Sequence, residues 1–92
     1  MTIVQLQYFR AVFETSGFTS AAGRLGTSQA SVSEQVARLE SAEHGVGRKL
    51  IVRHKNGCTL TPAGRALARY AIDILDGVTR AKLAVAQAEQ IV

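Results

Sequence analysis

The sequence predicts an all-α-dominated fold, a winged helix-turn-helix of three helices and a β-hairpin wing, followed by one long helix. Two short helical patterns hinged at a Gly-Thr-Ser break (26–28) are typical of a helix-turn-helix. Two β-leaning runs joined through Asn56-Gly57 indicate a hairpin. From Pro62 onward no proline interrupts a heptad pattern of apolar residues, which predicts the long helix.

The first helix is predicted over IVQLQYFRAVFET (3–15), and Gly17 is expected to end it through its permissive backbone. Apolar residues recur there at spacings of three and four, which places them on one helical face with Tyr8 beside them. These residues are Ile3, Leu6, Phe9, Val12 and Phe13.

The second helix is predicted to begin at Thr19 as N-cap and to run to Leu25, with Gly26 ending it. The third helix is capped by Thr27 or Ser28. It buries a stripe at i, i+4 and i+7 formed by Val32, Val36 and Leu39.

The hairpin is predicted from KLIVR (49–53) and CTLT (58–61), joined by HKNG. Asn56-Gly57 is the strongest local signal for the turn, since both residues tolerate positive φ. Added to the three helices, this hairpin would form a wing with Lys55 and Asn56 at its tip.

The last helix is predicted to begin with Thr61 as N-cap and Pro62 at the first helical position, and to continue to Val92. At about 48 Å, such a helix is longer than a small domain is wide. Most of its stripe therefore needs a partner helix, and a homodimer is a simpler explanation than another domain. The predicted dimer residues are Leu67, Ala71, Ile74, Val78, Ala81 and Val85, with Ala88 and Val92 continuing the heptads.

Composition limits the classes of function. The net charge of +4 on 92 residues favours a polyanionic partner, although a basic protein without such a partner has the same balance. One cysteine, Cys58, fits a reducing compartment. Without a signal-peptide pattern or a long apolar run, the sequence predicts a cytoplasmic protein with no membrane partner.

The sequence does not support catalysis. His44 and His54 lie in polar stretches and have no carboxylate or cysteine at motif spacing. No nucleophile elbow, paired carboxylates or phosphate-binding glycine loop is found. We therefore predict no enzyme activity, no metal site and no cofactor.

Nucleic-acid binding is better supported. Cations cluster around the predicted hairpin at Arg48, Lys49, Arg53 and Lys55. Small and polar side chains fill the start of the third helix, where Gln29 has an amide suited to a base edge and Ser28 can contact phosphate. Alternatively, the cations form a solvated charge run and the serines only cap the helix.

The order of these motifs resembles the N-terminal DNA-binding domain of LysR-type transcriptional regulators. The matching features are Leu-x-x-Phe, GFTSAAGRL (17–25), SQxxVS opening the third helix, and LTPAG (60–64). The resemblance implies a winged helix-turn-helix over 1–60 and a linker helix over 61–92 that pairs antiparallel with a second subunit. Such dimers often form tetramers in the full-length protein. The family's effector-binding domain is expected to be absent from this chain.

By the same resemblance, a recognition helix at about 28–43 lies in the major groove and a wing at about 48–60 lies on the backbone or minor groove of double-stranded DNA. The implied DNA-binding residues are Ser28 on phosphate, the base-facing set Gln29, Ala30, Ser31, Ser33 and Glu34, Arg38 beside them, and Arg53, Lys55 and Asn56 in the wing.

Glu34 departs from the family, in which many members have arginine at this position. A carboxylate there can accept a hydrogen bond from a cytosine amino group, or it can be solvated without a role. Acidic residues in the third helix also leave a second function open. In that alternative the chain is a dimeric protein-interaction module that has lost specific DNA binding.

Overall fold

The computed structural model describes residues 1–89. It contains four helices and one hairpin in the order α1 (Ile3–Thr15), α2 (Phe18–Leu25), α3 (Gln29–Glu40), β1 (Ile51–His54), β2 (Gly57–Leu60) and α4 (Pro62–Glu89). The predicted fold class is confirmed.

Helix α1 begins with a capping box. Thr2 Oγ1 accepts the backbone N–H of Gln5 at 3.1 Å, and Gln5 Oε1 accepts the N–H of Thr2 at 3.0 Å. The side chain of Gln5 is therefore satisfied although the residue is only 4% exposed. Ile3, in the first turn of α1, is 39% exposed and does not join the core.

The junction between α1 and α2 differs from the sequence-based expectation. Ser16, not Gly17, adopts the left-handed conformation at φ 59°. Gly17 is extended and forms the N-cap of α2 in place of Thr19. This backbone path aims the Ser16 carbonyl at the wing, where it accepts the Cys58 N–H at 3.0 Å. Gly57 must stay small there, since a Cβ would lie 2.6 Å from that carbonyl oxygen.

The turn between α2 and α3 forms as predicted at Gly26, with φ 67°. Ser28, rather than Thr27, caps α3, and its Oγ accepts the Ser31 N–H at 3.1 Å. Helix α3 ends at Glu40, three residues before the predicted boundary at 43, because the chain turns back after Ser41 and the Val46 N–H bonds to the Leu39 carbonyl at 2.8 Å.

The hairpin is antiparallel and pairs Ile51 with Leu60 and His54 with Gly57. Lys55 and Asn56 therefore occupy the centre of the turn, which confirms them as the tip of the wing. Asn56 does not have positive φ, whereas Gly57 has φ 143°. Pairing extends through His54 and Gly57 because the bond from Cys58 to Ser16 anchors β2 on the helices.

A single hydrophobic core joins α1, α2, α3, the hairpin and the first half of α4. Its fully buried members from the predicted stripes are Leu6, Phe9, Val12, Val32, Val36 and Leu39. Leu50 and Ile51 extend this core to the start of β1. We call residues 1–60 the head.

Helix α4 begins as predicted, with Thr61 Oγ1 accepting the Gly64 N–H at 2.9 Å. Its buried seam consists of Gly64, Ala68, Ala71 and Leu75. At its middle, Asp76 accepts a hydrogen bond from Arg10 at 3.2 Å, and Arg10 also pairs with Glu14 at 3.1 Å. Beyond Thr79 every described residue is exposed. The predicted continuation to Val92 lies outside the described residues.

Candidate nucleic-acid interface

The wing tip and the start of α3 meet across an open groove of about 650 Å³, which we call the wing groove. Its walls come from the α1–α2 junction, the first residue of α3 and the hairpin turn. The polar and charged residues on these walls are Thr15, Ser16, Thr19, Ser20, Gln29, Arg53, His54, Lys55 and Asn56. Two separate sequence-predicted groups, the wing and the start of the third helix, thus line one surface.

Arg53, one of the cations that line the wing groove, is held by two side-chain contacts. Its guanidinium carbon lies 3.6 Å from the centroid of the Phe18 ring, a stacking distance for a cation–π contact. Its Nη2 donates to Ser33 Oγ at 2.8 Å. Arg53 therefore contacts both helices of the helix-turn-helix while its side chain remains exposed to solvent.

The rest of the wing has few internal contacts. Lys55 and Asn56 are exposed at the tip, and His54 Nε2 shares a 2.7 Å hydrogen bond with Thr59 Oγ1 across the strands. Cys58, opposite Arg53 in the hairpin, points inward, and burial raises the pKa of its thiol despite the nearby guanidinium. Arg53 shares the helix-facing side of the hairpin with Cys58, whereas Lys55 and Asn56 extend from its exposed tip.

The first turn of α3 presents small, accessible residues. Gln29 and Ala30 are exposed, and Ser31 is half-buried. Ser28 uses its hydroxyl locally, accepting the Ser31 N–H and donating to Ser31 Oγ at 3.0 Å. The alternative that these serines cap the helix thus describes Ser28 correctly, and it leaves Gln29 and Ala30 free of side-chain capping roles.

Glu34 and Arg38 form a pair on the exposed face of α3. Glu34 Oε1 lies 3.7 Å from Arg38 Nε, and the two side chains are 67% and 52% exposed. Each charge is partly balanced by the other. Neither residue lines the wing groove.

Glu40 has a role that the sequence did not reveal. One carboxylate oxygen accepts the N–H groups of Leu50 at 2.7 Å and Ile51 at 3.2 Å, and the other lies 3.6 Å from Lys49 Nζ. Its side chain is only 13% exposed. Glu40 is therefore a structural acceptor for the start of β1, and its charge does not add to an acidic surface on α3.

Three cations that flank the hairpin in sequence do not line the wing groove. Lys49 faces Glu40, and Arg65 donates to the Leu60 carbonyl at 3.3 Å. Arg48 borders a mainly apolar groove of about 310 Å³ against the start of α4. The apolar residues of this groove are Val46, Leu50, Ala63, Ala66, Leu67 and Tyr70.

The predicted dimer stripe divides into two parts. Ala71 is 0% exposed in the core of the chain and has no surface for a partner, which corrects its place in the stripe. Leu67, Ile74 and Val78 are half-buried. Ala81 and Val85 are exposed, with Val85 at 63%. Ala71 is buried because it belongs to the seam of Gly64, Ala68, Ala71 and Leu75 that packs on the head.

Comparisons with known proteins agree with this geometry. The sequence profile described as "Bacterial regulatory helix-turn-helix protein, lysR family" matches residues 3–65. The Hca operon transcriptional activator HcaR of Escherichia coli (strain K12) is 42% identical over 83 residues, which are 90% of this chain and 27% of HcaR. The chain thus spans about a quarter of the length of that relative.

Two solved structures resemble the whole chain. The crystal structure of the CbnR DBD–DNA complex has a TM-score of 0.86 at 35% identity and covers 97% of this chain and 99% of that one. The BenM DBD/catB site 1 DNA complex has a TM-score of 0.83 at 33% identity, with 99% and 96% covered. Within residues 1–89, no helix has the length and apolar character needed to cross a bilayer.

Proposed function

This chain belongs to the LysR family of bacterial regulatory helix-turn-helix proteins, and we propose that it binds double-stranded DNA sequence-specifically as the DNA-binding domain of a transcription regulator. The observation that carries this proposal is the wing groove, in which Arg53, Lys55 and Asn56 share one surface with Gln29. Cations that track phosphate and an amide that reads a base edge then act on the same stretch of duplex.

In this proposal the start of α3 enters the major groove. Gln29 is positioned to pair with an adenine edge, and the small side chains of Ala30 and Ser31 allow close approach. Ser28 lies at the helix N-terminus, where the helix dipole favours a phosphate. Arg53, Lys55 and Asn56 contact the backbone or the minor groove alongside, where cations gain from the negative groove potential.

We propose that residues 1–60 act as the DNA-binding unit and 61–92 as the linker helix of a homodimer. The exposed half of α4 supports this division, because the ten consecutive residues from Arg80 to Glu89 are all exposed to solvent. Two heads related by a twofold axis would bind two half-sites on one face of the duplex. Binding to chromosomal DNA would place the protein in the cytoplasm.

The test is to select sequences from a random duplex pool and to measure affinity against salt. We expect a selected motif with two half-sites, and a log–log salt slope of about −0.9 for each phosphate neutralised. Lys55→Gln should reduce the slope by about 0.9 per protomer that engages phosphate. Lys82→Gln removes the same charge from α4, away from the wing groove, and should leave the slope unchanged.

Affinity that barely changes between low and moderate salt, or equal effects of the two lysine variants, would reject DNA binding by the wing groove. The alternative function, a dimeric protein-interaction module, predicts that outcome together with no enriched sequence. The acidic residues of α3 give the interaction-module alternative little support, because Glu40 accepts hydrogen bonds from the β1 backbone and Glu34 pairs with Arg38.

A further inference from the structure

Three residues from three different elements converge on the wing arginine. Phe18 comes from α2, Ser33 from α3 and Arg53 from β1, and they meet through the 3.6 Å stacking contact and the 2.8 Å hydrogen bond. The Phe18 ring is itself rigid, being only 7% exposed within the core. A long side chain that is normally flexible is therefore held at two points.

The contacts leave the arginine able to bind. Stacking uses one face of the planar guanidinium, and the bond to Ser33 uses one of its five N–H donors. The side chain of Arg53 remains exposed and lines the wing groove together with Lys55 and Asn56. The guanidinium thus keeps a donor set suited to phosphate or to minor-groove acceptors.

We propose that Phe18 and Ser33 form a latch that orients Arg53 for DNA before binding, so that Ser33 is a positioning residue for the wing and not a base reader. This inference rests on the proposed function. Ordering a side chain in advance lowers the entropy lost on binding. It also joins the wing to α3, so that the helix and the wing meet the duplex in one fixed relative position.

A double-mutant cycle on a selected duplex separates the two roles of Ser33. We expect Ser33→Ala to weaken binding about fivefold when Arg53 is present, the effect of one modest hydrogen bond. In the Arg53→Ala background the same change should have almost no effect, because the residue through which it acts is gone. Ser33→Thr retains the hydroxyl and should restore most of the affinity.

Ser31→Ala is the matched control, since Ser31 lies on the same helix and its hydroxyl bonds to Ser28. Its effect on affinity should be the same with and without Arg53. If Ser33→Ala behaves like this control, or changes the base selected at one position, Ser33 reads DNA directly and the latch is rejected.

The latch can also be tested without DNA. In the free protein, the Phe18 ring should shift the NMR signals of the Arg53 side-chain protons upfield, and Ser33→Ala should reduce this shift. Shifts that are unchanged in Ser33→Ala would overturn the latch. If the duplex selection enriches nothing, DNA binding fails while this measurement still decides whether Ser33 orders Arg53.

Discussion

The head and the distal half of α4 differ in how far their helix ends and apolar side chains are capped or buried within one chain. In the head, every helix start is capped or closely packed, and the apolar stripes of three helices interlock in one core. In the distal half, Arg80–Glu89 are all exposed, and large apolar side chains such as Leu83 and Val85 lie in solvent at 58% and 63% exposure. The head buries its apolar side chains within a single chain, and the distal half of α4 does not.

This difference shows that one helix packs in two ways along its length. The first half of α4 packs against its own head through Gly64, Ala68, Ala71 and Leu75. The second half extends past the head in a molecule whose dimensions are 54 × 26 × 20 Å. A lone helix of this length gains little stability in water, so the exposed half depends on a partner surface.

The largest effect is expected from a charge placed on the exposed stripe. Val85→Asp should convert a dimer to monomers, because each buried carboxylate costs about 3 kcal/mol or more and a symmetric interface contains two. Leu83→Asp is the control, since Leu83 lies roughly 200° around the helix from Val85. Sedimentation equilibrium measures both. Dissociation by Leu83→Asp alone would move the interface to the opposite face of α4.

A methyl group added at either of two glycines of α4 should change the free energy of unfolding, in opposite directions at the two positions. At Gly64 a Cβ would lie 2.1 Å from the Leu50 carbonyl oxygen, so Gly64→Ala should lower the free energy of unfolding by about 3 kcal/mol. At Gly77 the nearest atom is Arg80 Nη2 at 3.8 Å, so Gly77→Ala should raise it by about 0.5–1 kcal/mol.

Urea unfolding at one fixed protein concentration compares these two variants, since dimerisation makes stability concentration-dependent. A stable Gly64→Ala protein would show that the start of α4 does not pack closely on the head. Destabilisation by Gly77→Ala would show that a partner approaches the helix backbone there.

Two glutamates of α3 provide a smaller contrast. Glu40→Ala should destabilise the protein by about 2 kcal/mol, because the N–H groups of Leu50 and Ile51 lose their acceptor. Glu34→Ala removes only an exposed pair with Arg38 and should change stability by less than about 0.5 kcal/mol. Thermal unfolding of both variants provides the measurement. Equal losses would contradict the structural role of Glu40.

The sequence predicted most of the fold because its signals are local. The buried stripe of α3, the Gly26 turn, the Thr61-Pro62 start of α4 and the presence of a hairpin were each correct. It failed where a distant contact decides. Gly17 was expected to end α1, but Ser16 adopts the left-handed conformation there, and its carbonyl accepts the Cys58 N–H from the distant hairpin.

The sequence by itself determined the number and order of the elements, since helix periodicity, caps and turn residues act within a few positions of the chain. Only the tertiary structure decided how distant charges and hydroxyls are used. It gathered Arg53 and Lys55 beside Gln29, joined Ser33 to Arg53 across twenty positions, and committed Glu40 to the backbone of β1. Those contacts join separate elements, and their formation depends on how helices and hairpin pack, which no local pattern encodes.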